Sequence, residues 1–168
     1  MVFVDMPIWE AATRLLVAAV LGMFVGFERE FRRKPAGIRT HMLVATGSAA
    51  FMILALEMII GPLSALAQTS ADPTRIIQGV IGGIGFLGAG AIIQGGREVT
   101  GLTTGASIWV AGAIGISSGI GFIDFAVLLT VIVVVIVYAI GRIEGLIMSK
   151  IEKTTGLDRP EKGHDEPE

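Results

Sequence analysis

Ionisable side chains inside long apolar stretches are the first candidates for chemistry in this sequence. Glu10 and Arg14 are four residues apart with the acid first, the favourable order for an ion pair along a helix. Glu57 lies in a second apolar stretch, and Arg75 and Gln78 begin a third. Ionisable groups inside a membrane are costly, so each is a functional candidate. These five side chains predict a polar site where the stretches converge. The alternatives are buried ion pairs that fix helix register, or snorkelling at the interface.

A second polar group lies between the first and second apolar stretches, and a separate set of hydroxyls begins the fourth stretch. Acids and bases interleave after the first stretch, which allows a specific network, although a charged run beside a membrane is usually only an orientation signal. Hydroxyls at the start of the fourth stretch can cap a helix, line a pore mouth or bond back to their own helix. The interpretations of both features stay open. The candidate residues are Glu28, Arg29, Arg39 and Thr40 of the polar group and Thr103 and Thr104 of the hydroxyl set.

Glycines predict close packing between helices, because small residues let helix backbones approach each other in lipid. They favour an inner cluster of the first, third and fourth apolar stretches, with the bulky fifth stretch facing lipid. The run 83–88 also matches the dinucleotide fingerprint G-x-G-x-x-G, but no strand precedes it and the expected acid is absent. Helix packing is therefore the interpretation. The candidate packing residues are Gly22, Gly26, Gly79, Gly83, Gly85, Gly88, Gly115 and Gly119.

The composition is that of a membrane protein. Of 168 residues, 52% are hydrophobic and 17% charged, whereas soluble domains carry about 25% charged residues. The mean hydropathy is +0.74. Cysteine is absent and only two histidines occur, which excludes disulfides, thiol nucleophiles and Cys-based or His-rich metal sites. A net charge of -2 without a basic stripe argues against a nucleic-acid partner.

Five apolar stretches approach the roughly 20 residues that a membrane-spanning helix needs. They predict an all-α fold, an integral membrane bundle of five transmembrane helices over residues 1–141. Residues 142–153 predict an amphipathic helix at the cytoplasmic interface, and residues 154–168 a disordered charged tail. The predicted spans are 8–27, 42–61, 76–94, 102–120 and 125–141.

The basic residues predict the orientation of these spans. Of the 13 Lys and Arg residues, Arg14 lies within the first span and Arg75 at the edge of the third, and the other 11 fall in alternate segments between and after the spans. Cytoplasmic loops carry the positive excess. The N-terminus is therefore expected outside the cytoplasm and the C-terminus inside.

Four short motifs, taken in order, resemble the MgtC/SapB family of bacterial inner-membrane proteins. They are GFEREFR (26–32), AGIRT (36–40), GIGFLGAG (83–90) and GLTTGASIW (101–109), with DPTR (72–75) before the third. The resemblance covers roughly residues 10–140. Fuller members of the family carry a cytoplasmic ACT-like domain after the last helix, and this chain is expected to be a short form without it.

The resemblance implies a multi-pass protein of the bacterial cell inner membrane, linked to magnesium homeostasis, virulence and inhibition of the proton-driven ATP synthase. The favoured function is a non-enzymatic regulator that binds a membrane-protein partner such as ATP synthase. The other expected partners are the lipid bilayer and further copies of this chain in a homo-oligomer. The alternative is a transporter or channel for Mg²⁺ or another small ion, although no acid lies in the middle of any span. No cofactor, metal site or catalytic residue is expected, because no Ser/His/Asp set, H-E-x-x-H motif or phosphate loop is present.

Overall fold

The computed structural model describes residues 6–60, 72–95 and 98–155. Within these ranges the chain forms five α-helices and one short hairpin, which confirms the predicted all-α fold. The elements are α1 (Ile8–Phe31), α2 (Ile38–Ile60), α3 (Pro73–Gly90), β1 (Ile93–Gly95), β2 (Glu98–Thr100), α4 (Leu102–Ile120) and α5 (Ile123–Thr155).

Among the described residues, three helical segments are long and apolar enough to cross a membrane. They are Ile8–Phe31, Ile38–Ile59 and Ile123–Ile143, the last within α5. The glycine-rich helices α3 and α4 are shorter, with 18 and 19 residues. The chain is therefore a helical membrane protein, while the five-span count and the orientation stay predictions.

Local chemistry fixes the ends of α3 and α4. Asp72 is the N-cap of α3, where its carboxylate accepts a hydrogen bond from the Thr74 amide at 2.9 Å and Pro73 takes the first helical position. The hydrogen bonds from Thr74 hold the pKa of Asp72 below its usual value. Gly101 and Gly121 flank α4 with φ of 86° and 98°, a left-handed conformation that favours glycine.

The third predicted span, 76–94, is wrong at its end. Helix α3 stops at Gly90, and Ile93–Gly95 pairs antiparallel with Glu98–Thr100 instead of continuing the helix. The chain can fold back here because Gly101 combines a positive φ with the absence of a side chain. A Cβ at Gly101 would lie 2.1 Å from the Ala91 carbonyl oxygen.

Helix α2 is the central helix of the bundle. It packs against α1, α3 and α4, and α4 packs in turn against α1 and α3. Ala18 of α1 and Ala45 and Ala49 of α2 form one fully buried cluster. The expected inner cluster of the first, third and fourth stretches is therefore wrong in leaving out the second stretch, which forms α2. Small alanines let α2 approach its neighbours as closely as glycines do.

The chain divides after Val134 into two compact units, so that α5 belongs to both. In the first unit, α5 buries Ala126, Thr130 and Val133 along one face and exposes bulky apolar side chains elsewhere. In the second unit, the Arg142 guanidinium lies 5.9 Å from the centre of the Tyr138 ring. The segment 142–153 continues α5, and its position at the interface stays a prediction. Of the predicted tail, residues 156–168 lie outside the described residues.

Candidate functional site

The last turns of α1 carry a buried group of charges. Glu28 is 9% exposed and Arg29 is 3% exposed. Arg32 Nε lies 2.5 Å from Glu28 Oε1, and Arg29 Nη1 lies 3.8 Å from Glu28 Oε2. Within the described part of the chain, neither carboxylate oxygen of Glu28 makes a well-aligned hydrogen bond, and neither does Arg29 Nε. The group is therefore held mainly by the attraction between charges.

Arg29 connects this group to α4. Its Nη2 donates to Thr104 Oγ1 at 3.1 Å, and Thr104 is 1% exposed. The structure thus brings Glu28 and Arg29 of the second polar group together with Thr104, which the sequence had placed in a separate set of hydroxyls. Arg39 and Thr103 are exposed, and Thr40 is half-buried.

A fully buried histidine extends the network to α2. His41 Nδ1 lies 2.8 Å from the Gly37 carbonyl oxygen, and Nε2 lies 3.0 Å from Ser107 Oγ, which in turn lies 2.8 Å from the Thr104 carbonyl oxygen. Because a carbonyl only accepts, Nδ1 carries a proton. Ser107 has a single proton to share between His41 and Thr104. The network therefore joins α1, α2 and α4 through the side chains of Arg29, His41 and Ser107.

Sequence reasoning missed His41 and Ser107 as members of this site. The available signal was a histidine directly before the second apolar stretch, where a buried polar ring needs a partner. Its partner on α4 is 66 positions away in the sequence, so spacing alone did not predict the pair.

Arg14 takes a different role at the opposite end of α1. Its Nη2 contacts Glu10 Oε1 at 2.5 Å, the ion pair that the i,i+4 spacing predicts. Its Nη1 also donates to the Gly119 carbonyl oxygen at 2.8 Å. Gly119 lies in the last turn of α4, where carbonyls lack helical partners and the helix dipole favours a cation. Arg14 therefore caps the C-terminus of α4 and also forms an ion pair with Glu10 within α1.

The remaining members of the first polar group have no polar partner among the described residues. Glu57 is half-buried, and Arg75 and Gln78 are exposed. None of these three side chains makes an ion pair or hydrogen bond to another described residue. Glu10 and Arg14 are thus the only two of the five predicted residues that contact each other in the described ranges.

Five of the eight predicted packing glycines lie against a neighbouring helix or loop. A Cβ at Gly115 would be 2.1 Å from the Ala45 carbonyl oxygen, and one at Gly22 would be 2.6 Å from that of His41. Gly26, Gly88 and Gly119 meet backbone atoms at 2.6 to 3.2 Å. In contrast, a Cβ at Gly79, Gly83 or Gly85 would meet nothing within 4 Å.

Two cavities in the described structure are apolar. An open groove of about 650 Å³ lies between α2 and α3, and a smaller cavity of about 180 Å³ lies between α3 and α4 beside Trp109. No group of three or more His, Cys, Asp or Glu residues could hold a metal ion among the described residues.

Apolar helices, close glycine contacts and a buried charge network define a helical membrane protein. The MgtC family matches residues 15–146, and the chain belongs to this family. It is 39% identical over 130 residues to Protein MgtC of Brucella abortus, covering 77% of this chain and 51% of that protein. It is 40% identical over 119 residues to Protein MgtC of Salmonella typhimurium, covering 71% of this chain and 47% of that protein.

A third relative is the Escherichia coli K12 protein named "Putative magnesium transporter YhiD". It is 38% identical over 141 residues, which cover 84% of this chain and 65% of the relative. The chain spans about half the length of the two MgtC relatives. No solved structure shows a significant match to the chain.

Proposed function

We propose that this chain is a non-enzymatic regulator of the bacterial inner membrane that binds a membrane-spanning helix of another protein. The observation that carries the proposal is an exposed surface of α3, formed by Gln78, Gly82, Gly85, Phe86 and Ala89. We call this surface the outer face of α3.

The outer face of α3 combines small residues with one large apolar side chain. A Cβ at Gly82 or Gly85 would meet no described atom within 4 Å, and Phe86 is 81% exposed. Glycine weakens a helix relative to alanine by about 0.5–1 kcal/mol. Small residues on a membrane helix allow the backbone of another helix to approach closely. An open face of this kind therefore suits a partner helix, into which Phe86 can insert.

The charge arrangement also favours a regulator over an ion carrier. Glu10 is paired with Arg14, and Glu28 with Arg29 and Arg32. Mg²⁺ prefers carboxylate and other oxygen ligands, and these carboxylates are already neutralised. One observation favours the second candidate, Mg²⁺ transport. The Glu57 carboxylate is half-buried and makes no ion pair to a described residue.

The first test compares partner binding with folding. Gly85→Leu should leave the amount of protein in the membrane unchanged, since its side chain meets open space, and should abolish capture of the partner. ATP synthase is the first partner to test. The measurement is ATP-driven proton pumping in inverted membrane vesicles, which the wild type should inhibit and Gly85→Leu should not. Val131→Leu, on an exposed face of α5, is the matched control and should change neither property. Unaltered inhibition in Gly85→Leu would exclude the outer face of α3 as the binding surface.

The second test addresses transport. Mg²⁺ flux into liposomes that contain the purified chain should equal that of empty liposomes. Flux that disappears in Glu57→Gln would establish the transporter and exclude the regulator as the primary function.

The proposed membrane topology has five spans, with the N-terminus outside. The alternation of Lys and Arg segments supports it. A reporter fused after Glu168 should be cytoplasmic, and one inserted within residues 61–71 should be periplasmic. Two reporters on the same side would exclude an odd number of spans between them.

A further inference from the structure

The groove between α2 and α3 is lined almost entirely by hydrocarbon. Its α2 wall is formed by Leu43, Val44, Gly47, Ser48 and Phe51. The Ser48 hydroxyl donates to the Val44 carbonyl at 2.7 Å, so it is already satisfied. The groove thus offers no free polar group to a peptide or an ion, and an apolar occupant fits it best.

Glycines open the groove on both walls. A Cβ at Gly47, Gly79 or Gly83 would meet nothing within 4 Å. On α3, Gly79 and Gly83 share a side with Ile76, Val80 and Leu87. This side differs from the outer face of α3, because successive residues are rotated by about 100° around a helix of 3.6 residues per turn. The groove and the proposed partner surface are therefore separate.

The length of the groove matches one leaflet of a bilayer. Leu43 and Phe51 are eight positions apart on α2, which corresponds to about 12 Å at a rise of 1.5 Å per residue. The hydrocarbon core of a bilayer is about 30 Å thick, so one leaflet contributes about 15 Å. An extended acyl chain can therefore lie along the groove at its natural depth.

A cation lies at one end of the groove. Arg39 is four positions before Leu43 and eight before Gly47, so the three residues share one face of α2. The Arg39 side chain is exposed and makes no ion pair to a described residue. Arg33 and Lys34 are also exposed at this end of α2. Among the described residues, two carboxylates of α1 are engaged, Glu28 by Arg29 and Arg32 and Glu30 by the Ile38 amide.

We propose that this groove binds an anionic phospholipid, with one acyl chain between α2 and α3 and the phosphate beside Arg39. The planar guanidinium suits a phosphate because it can donate two parallel hydrogen bonds. An apolar groove alone would accept any lipid, and Arg39 adds the preference for negative charge. The proposal is independent of the regulator function.

The experiment is native mass spectrometry of the full chain released from nanodiscs that contain equal amounts of phosphatidylglycerol and phosphatidylethanolamine. The wild type should retain phosphatidylglycerol about fivefold over the zwitterionic lipid, the factor expected for one arginine beside anionic lipid. Arg39→Gln should retain lipid without this preference. Equal retention of both lipids by the wild type would refute the proposal.

Two matched variants on α3 separate the groove from the partner surface. Gly83→Leu fills the groove and should lose the retained lipid, whereas Gly85→Leu points elsewhere and should retain it. Both positions are open, so both variants should fold. Loss of lipid in Gly85→Leu but not in Gly83→Leu would overturn the assignment of the lipid to the groove between α2 and α3.

Other occupants give different results. If a second copy of the chain filled the groove, Gly83→Leu would convert a dimer to a monomer without changing the lipid ratio. If a free anion were the ligand, inorganic phosphate would raise the melting temperature as much as phosphatidylglycerol does. Either result would overturn the proposal.

Discussion

Several glycines of α1 and α4 and two glycines of α3 have the same spacing and opposite surroundings. Gly22, Gly115 and Gly119 lie where a Cβ would be 2.1 to 2.6 Å from a backbone oxygen of α2. Gly79 and Gly83 of α3 form an identical G-x-x-x-G pair and face open space. One sequence pattern therefore serves internal packing in one region and leaves a surface available in the other.

The largest expected effect tests this contrast directly. Gly115→Leu should prevent the protein from accumulating, because the side chain would overlap the Ala45 carbonyl and Ser48 of α2. Gly82→Leu should accumulate like the wild type. Size-exclusion chromatography of detergent extracts measures both. Equal amounts of the two variants in the extracts would show that packed and open glycine positions do not differ in their tolerance of a large side chain.

The buried charges should give the next largest effect. Glu28→Gln leaves the buried Arg29 without its countercharge, and breaking a buried pair costs about 3–5 kcal/mol. Arg39→Gln removes an exposed charge and should change the free energy of unfolding by less than about 0.5 kcal/mol. Thermal unfolding of the purified variants compares them. A loss of stability in Arg39→Gln as large as in Glu28→Gln would show that burial does not determine how much removal of a charge destabilises the protein.

A smaller effect is expected for the cap of α4. Arg14→Gln removes the cation from the Gly119 carbonyl and from Glu10, at a cost of about 1 kcal/mol for a partly exposed group. Arg75→Gln, an exposed arginine without a described ion pair, is the matched control. If Arg14→Gln were as stable as this control, the interhelical cap would contribute nothing.

Glu57 and Arg75 should behave independently, because they make no ion pair in the described structure. The unfolding free-energy changes of Glu57→Gln and Arg75→Gln should add in the double variant within about 0.5 kcal/mol. Rescue of one substitution by the other would instead reveal a direct contact between these residues.

The smallest effect concerns the start of α3. Hydrogen bonds from Thr74 lower the pKa of Asp72 in the folded state. The stabilisation is therefore present above the unfolded pKa and is lost as the pH falls through the folded pKa. Asp72→Asn also caps a helix, so its stability should not show this acid-dependent loss. Identical pH profiles for wild type and Asp72→Asn would exclude the contribution.

The helices were largely predictable, and the exceptions have local causes. Long apolar stretches predicted α1, α2 and α5, since a bilayer requires such lengths. The end of α3 was not predicted, because Ile92 and Ile93 continue the apolar pattern. The hairpin beyond them depends on Gly101 closing against Ala91, a contact ten residues apart that periodicity does not reveal.

The candidate site was predictable in its residue types and only partly in its contacts. Glu10 and Arg14 are neighbours on one helix, so spacing predicts their pair. Arg29 reaches Thr104 and Arg14 reaches Gly119 across more than 70 positions, which no helical repeat encodes. The convergence of Glu57 with Arg75 stays a prediction, since neither side chain makes an ion pair to a described residue.

The sequence by itself determined that the chain is a helical membrane protein of the MgtC family, because apolar length, scarce charge and ordered motifs are properties of the linear chain. Only the tertiary structure decided which glycines are packed and which are open. That distinction depends on how each helix is rotated against α2, and the rotation is set by the sum of contacts with neighbouring helices. The same G-x-x-x-G spacing is compatible with either outcome.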